Sequence, residues 1–175
     1  MRRSKWVDRK FQSIADNGLL PGIIERLEGT AVRLEAKISK MPATIFSQTS
    51  GDKWSVKKEV GHLNDLEPLW LARVIQIQTG VAELIAADMS NEKTYAAAHD
   101  ERRIEDLLSD FKASREQLVI KLKSLSEEEL EKSSFHPRLK APMKIVELAY
   151  FVAEHDDHHL AQITSLVEEA SAKGD

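Results

Sequence analysis

Apolar residues recur at helical spacing along most of this chain, and no stretch shows the strict alternation of a half-buried strand. A first run follows Pro21 and carries Ile23, Ile24, Leu27, Val32, Leu34 and Ile38 before Pro42 stops it. Proline suits an early helical position because it has no amide hydrogen to lose there. The segment from Ala43 to Trp54, with Gln48-Thr49-Ser50-Gly51-Asp52, has the composition of a loop. Ser55 then reads as an N-cap, its hydroxyl able to accept from a free amide of a second helix. That helix carries Val56, His62, Leu63, Leu66, Leu69, Trp70, Val74 and Ile77, and Pro68 inside it predicts a kink.

Residues 80–100 are weakly patterned and predict a long crossover with little regular structure. A third helix is expected from about Glu101 to Leu125, with Ile104, Leu107, Leu108, Phe111, Leu118, Val119 and Leu122 on one side. Ser126-Glu127-Glu128-Glu129-Leu130 reads as a short capped turn, and Ser134 to Pro142, with two prolines, as a loop. The last helix is expected from about Met143 to Ala170. Four long helices without strands predict an all-α four-helix bundle, residues 20–175, preceded by an N-terminal arm, residues 1–19.

A helix advances about 100° per residue, so the inward face of each helix follows from the sequence. On the last helix, with His155 set at zero, Leu148 and Leu166 fall at about 20° and His159 at about 40°. Val152 follows at about 60°, and Ile145 and Ile163 at about 80°. Asp157 lies on the opposite side of the helix and faces water. His158 is turned about 60° the other way from His155, on the margin, able to line the same cavity but poorly aimed as a ligand. On the second helix, with His62 set at zero, Leu66 falls at about 40°, Glu59 and Ile77 at about 60° and Trp70 at about 80°.

Taken singly, an inward histidine is more often a core residue bonded to a neighbour than a ligand. His155 and His159 are four apart, so their imidazoles are neighbours that can converge on one ion. Two unpaired imidazoles would leave costly buried nitrogens, which coordination satisfies. With His62 facing inward from a second helix, the three form a candidate metal site. His99, in the crossover, and His136, before Pro137 in a loop, are assigned no role.

Composition narrows the chemistry. Hydrophobic residues make up 42% and charged residues 31% of 175, the balance of a globular domain. The net charge of −4 gives no support for a nucleic-acid or anionic-membrane partner. The basic start, Met1-Arg2-Arg3-Ser4-Lys5, leads into Trp6 and Phe11 without the apolar run of a signal peptide, so a cytoplasmic location is expected. There is no cysteine, so disulfides and thiolate ligands are excluded. Any metal is held by nitrogen and oxygen, and any reacting thiol comes from a small molecule.

The segment Phe151-Val152-Ala153-Glu154-His155-Asp156-Asp157-His158-His159-Leu160-Ala161-Gln162-Ile163 resembles the C-terminal motif of the DinB/YfiT-like superfamily, and Trp54-Ser55 followed by Gly61-His62-Leu63-Asn64-Asp65-Leu66-Glu67 resembles its second-helix motif. The likeness runs from about Leu20 to Ala170. It implies an up-down-down-up bundle, often a homodimer, with one zinc or nickel ion on three histidines, which here are His62, His155 and His159. It also implies the chemistry of metal-dependent hydrolases or thiol S-transferases. Trp6 and Phe11 on the arm offer a dimer contact, unless the arm folds back on its own bundle.

Three neutral imidazoles leave a divalent ion with open positions, as in catalytic rather than structural sites. Such an ion lowers the pKa of a water or a small thiol bound beside it, so the hydrolase and transferase readings share one site. Glu59 and Asp156 are the candidate bases or orienting carboxylates, with Asp65 behind them. Two rivals remain at this point: a non-catalytic metal-binding bundle, and a ferritin-like di-iron protein using Glu59-x-x-His62 and Asp156-x-x-His159. The di-iron set also needs an inward glutamate from each remaining helix, and Glu25, Glu28, Glu35 and Glu116 all read as surface positions.

Overall fold

A computed structural model of the chain describes residues 4–49, 51 and 53–171. Met1, Arg2 and Arg3 of the basic start, Ser50 and Asp52 of the first loop, and residues 172–175 at the end of the expected bundle lie outside the described residues. Four long helices, α1 (Leu20–Ile38), α2 (Val56–Thr79), α4 (Ile104–Lys123) and α6 (Ile145–Ser171), form the bundle. Two short helices, α3 (Glu92–Ala96) and α5 (Glu127–Leu130), and two strands, β1 (Ser133–His136) and β2 (Ala141–Lys144), lie in the connections. No helix among the described residues is long and apolar enough to cross a membrane.

Side-chain contacts fix the helix directions. Arg26 reaches Glu154, Arg33 reaches Asp157 and Lys37 reaches Thr164, so α1 and α6 run parallel. Glu59 meets His159 while Trp70 meets Phe151, so α2 runs antiparallel to α6. Val56, Val60 and Leu63 cluster with Ile104, Leu107 and Phe111 at one end of the bundle. Trp70, Val74 and Ile77 cluster with Leu118, Val119 and Leu122 at the other, so α4 runs with α2. The order is up-down-down-up. Parallel neighbours α2 and α4 require the chain to return the length of a helix, about 1.5 Å per residue over a 24-residue α2. The 80–103 segment makes that return.

Local chemistry sets the boundaries. Pro21 lies in the first turn of α1, the Ser55 hydroxyl accepts from the Lys58 amide, and Gly80 ends α2 at φ 75°. Ser126 and Glu129 form the reciprocal cap of α5. Helix α2 is continuous through Pro68. Val32, placed on the apolar stripe of α1 by the sequence, is 64% exposed.

Two expectations are corrected. The segment expected to be a loop from Ser134 to Pro142 is a β-hairpin in which Ser134 pairs with Met143 and His136 with Ala141. Pro142 faces Phe135, whose amide and carbonyl turn the other way, to Ala82 O and Leu84 N at 2.9 Å each. A proline without an amide hydrogen is therefore accommodated. The crossover also holds α3 and a 3₁₀ turn, His99–Glu101, rather than irregular chain throughout. The arm folds back on its own chain. Trp6 packs edge-on against Phe151 at 4.9 Å, and Phe11 packs against Phe151 at 4.8 Å, which removes the sequence argument for a dimer contact there.

At the bundle centre Arg115 of α4 is 3% exposed and donates to Glu67 of α2, Asp156 of α6 and the Leu27 carbonyl of α1. Burial alone lowers an arginine pKa, but the Asp156 and Glu67 carboxylates raise it above its ordinary value, so the charge persists. Removing one partner of such a set strands the others in the core. Arg115→Met is expected to cost about 3–5 kcal/mol of unfolding free energy. Urea titration of the variant checks this, and a loss under about 1 kcal/mol, the scale of an exposed pair, would contradict it.

Candidate metal centre

The α-helical period brings His155 and His159 to one face of α6, and the antiparallel α2 presents His62 to them across the interface. One nitrogen from each of the three lies within 4.8 Å of the others. The Nε2 atoms of His155 and His159 stand 3.1 Å apart. Nitrogens at about 2.0–2.1 Å around a tetrahedral zinc would be about 3.4 Å apart, so small rotations of buried rings complete the fit. All three side chains are 3–6% exposed. Burial first, then neighbouring imidazoles, lowers the His62 pKa to about 3 and holds His155 well below the ordinary range. Burial lowers His159 to about 4. At neutral pH the rings are neutral, the form that ligates.

The second ring nitrogens of His159 and His62 point outward to supports. His159 Nδ1 meets Glu59 Oε2 at 2.5 Å, which fixes the tautomer that leaves Nε2 free. His62 Nδ1 meets Thr94 Oγ1 at 3.0 Å, and that hydroxyl donates to Asp65 Oδ2 at 2.9 Å. His99 Nε2 reaches the same carboxylate oxygen at 2.9 Å. His99, assigned no role by the sequence, is thus 4% exposed and stands behind the site. It lies against the backbone of α2 at Gly61, where a Cβ would come within 2.4 Å of the ring. A glycine inside an otherwise strongly helical run was the signal for that close approach. His155 Nδ1 is buried without a partner.

Of the two carboxylates expected at the site, the structure brings Glu59 to it and not Asp156. Asp156 is fully buried and turned away from the imidazoles, accepting from Thr30 and Arg115. It lies one residue, about 100°, from His155, enough to point into the bundle core. Glu25, Glu28, Glu35 and Glu116 are exposed, so no carboxylate from α1 or α4 completes a di-iron set.

The three histidines line one wall of a cavity of about 680 Å³, with His158 on its margin. Trp54 stacks on His159 at 6.3 Å and packs on His62 at 4.8 Å. Trp6 and Trp70 meet His155 edge-on at 5.0 and 5.7 Å. Aromatic walls thus enclose the imidazoles, and Leu66 and Phe151 extend them.

The model of the DinB superfamily matches residues 26–163. The fold is similar to that of YfiT from Bacillus subtilis, described as a probable metal-dependent hydrolase with an unusual four-helix bundle topology. The TM-score is 0.77 at 19% identity, over 93% of this chain and 94% of that one. It is also similar to a mycothiol-dependent maleylpyruvate isomerase, with a TM-score of 0.67 at 11% identity, over 82% of this chain and 60% of that one. At these identities the likeness is one of fold. No curated protein matches the sequence.

The buried neutral imidazoles set an acid response. In the unfolded chain histidine titrates near 6.5, whereas His62 and His159 titrate at about 3 and about 4 in the fold. Below pH 6.5 the unfolded state therefore binds more protons, and the metal-free protein loses stability as pH falls from about 6.5 toward 4. Thermal melts of chelator-treated protein across that window check this; a flat melting temperature would contradict it.

Proposed function

The chain belongs to the DinB superfamily, and from that premise we propose that it is a metal-dependent enzyme acting on a small organic substrate, as a hydrolase or as a transferase using a low-molecular-weight thiol. The observation that carries this is the opening of three neutral imidazole nitrogens onto a cavity large enough for a small organic molecule. A divalent ion bound to His62, His155 and His159, zinc or nickel, supplies Lewis acidity and lowers the pKa of a water or thiol beside it. A purely structural site needs no such coordination room.

The protein's own residues then position and exclude. Glu59 and the Thr94–Asp65 pair hold two imidazoles with Nε2 toward the cavity, so little reorganises when a ligand enters. Glu59 acts through His159 and is a positioning residue. The aromatic walls from Trp6, Trp54 and Trp70 exclude bulk water and strengthen electrostatic interactions within. With no cysteine in the chain, the thiol of the transferase reading is a second small molecule.

Metal analysis of untagged protein is expected to give one divalent ion per chain, and an activity screen with and without chelator to show turnover only in the loaded form. His155→Ala is the cleaner ligand variant, because His159→Ala also strands the buried Glu59 carboxylate. It is expected to abolish metal binding and activity while melting as a folded bundle. Unfolding of this variant, or of the chelated protein, would make the site a structural staple and end the enzymatic reading. Glu59→Gln is expected to retain metal at saturation and to lose roughly 10–100-fold in affinity or rate, the effect of losing an orienting carboxylate.

A further inference from the structure

The cavity has a second end that the metal site does not use. Under the β1–β2 turn it is lined by Arg73, His136 and Arg138. Arg73 is 1% exposed, and its Nε and Nη2 donate to the Ile85 carbonyl at 3.0 and 2.8 Å. The Arg138 guanidinium lies over the rings of Phe151 at 5.3 Å and Trp6 at 5.7 Å, and its Nη2 is buried without a partner. Among the described residues no carboxylate pairs with either guanidinium; the charge that bears on Arg73 is Arg138, a like charge. The acid at the cavity mouth, Asp88, is committed to Ser90 and the Glu92 amide.

His136 sharpens the imbalance. Its Nδ1 accepts from the Arg138 and Leu139 amides at 3.2 Å each. A backbone amide can only donate, so Nδ1 carries no proton, and the neutral ring carries its hydrogen on Nε2. That atom faces Arg73 Nη1 at 3.2 Å. Both groups are donors, 2% and 1% exposed, with no acceptor between them. Burial and the two arginines lower the His136 pKa to about 4, which keeps the ring neutral. Desolvated cations and donors without an acceptor cost stability unless something supplies one.

We propose that this end of the cavity is a carboxylate-binding subsite, in which Arg73, Arg138 and the His136 Nε2–H receive the anionic end of a small organic acid whose apolar body lies against Trp6, Trp70 and Phe151. Guanidinium forks match the two oxygens of a carboxylate. A phosphate carries more oxygens than the two that a guanidinium fork matches. Aromatic rings lie between this subsite and His155: Trp70 touches Arg73 and His155, and Trp6 touches Arg138 and His155. The acid's other end therefore reaches the metal-binding wall. The assignment rests on the enzymatic reading only in making the acid the substrate; the binding itself needs no metal.

The test uses chelated full-length protein, titrated with 4-phenylbutyrate, with 4-phenylbutyramide and with inorganic phosphate, followed by calorimetry and tryptophan fluorescence. The acid is expected to bind at least about tenfold more tightly than the amide or phosphate, as loss of charge-assisted hydrogen bonds implies. Arg138→Gln, on the hairpin and outside the core, is expected to lose roughly 10–100-fold in affinity for the acid while taking up the same metal equivalent as the parent. Arg73→Gln should show the same loss if it folds, and the Arg138 variant decides the matter if it does not. Equal binding of acid and amide, tighter binding of phosphate, or parental affinity in Arg138→Gln would each overturn the subsite. Acid binding of this pattern in a protein that takes up no metal would uphold the subsite and sink the enzymatic reading instead.

Discussion

One guanidinium touches all four long helices. Arg115 rises from α4, and its five N–H groups are taken up by Glu67 of α2, Asp156 of α6 and the Leu27 carbonyl of α1. Apolar burial drives the bundle together, but a Leu- and Ile-rich interface tolerates sliding by a turn. A buried charge does not, because a slip leaves it unpaired at a cost no apolar contact offsets. Asp156 lies next to His155 in the chain and Glu67 is five residues beyond His62. The register that pairs Arg115 is thus the register that brings three imidazoles together. The three-histidine cluster depends on an ionic contact made one residue, about 100°, further round the same helix turn.

How far the sequence could be read follows from where periodicity operates. His62, His155 and His159 were legible because each lies within a long regular helix, where about 100° per residue converts position into direction. Ser55, Pro21 and Ser126 were legible because end chemistry is local. Asp156 lies beside His155 in sequence but not in the cavity, because a step of one residue turns a side chain to another face. Its partner, Arg115, is 41 residues away, and nothing local in α4 announces that an arginine on its face is buried. His99 and His136 were passed over for the complementary reason. They lie in connections without a period, and their burial is set by the packing of α3 and the hairpin onto α2. The hairpin itself was hidden by Pro137 and Pro142, which sit at a turn and at a position whose partner bonds elsewhere.

The two buried sets of polar groups at the cavity are satisfied in different ways. Around the imidazoles, the outward nitrogens of His159 and His62 are bonded to Glu59 and Thr94, which turns their Nε2 lone pairs inward toward His155. Lone pairs without donors attract a cation. Around Arg73, Arg138 and His136 the unpaired atoms are hydrogens on cations and on a neutral ring. Hydrogens without acceptors attract an anion. Buried groups in a folded protein are ordinarily satisfied, so a cluster that lacks partners of one kind points to a ligand of the other kind.

The two ends also act on one another through the space between them. On the proposed reading, a divalent ion at the histidines would face the Arg73 and Arg138 guanidiniums across a cavity walled by tryptophan and phenylalanine. The low polarity of those walls and the exclusion of water leave the field little screened, so its effect on a bound molecule exceeds what the same charges would do in solvent. A neutral ligand gains little from such a field and a cation is excluded. An acid is drawn in and held by its charged end. On that reading the arginines would act on the histidine end as well as the end they touch, because walls of low polarity keep water from screening one from the other.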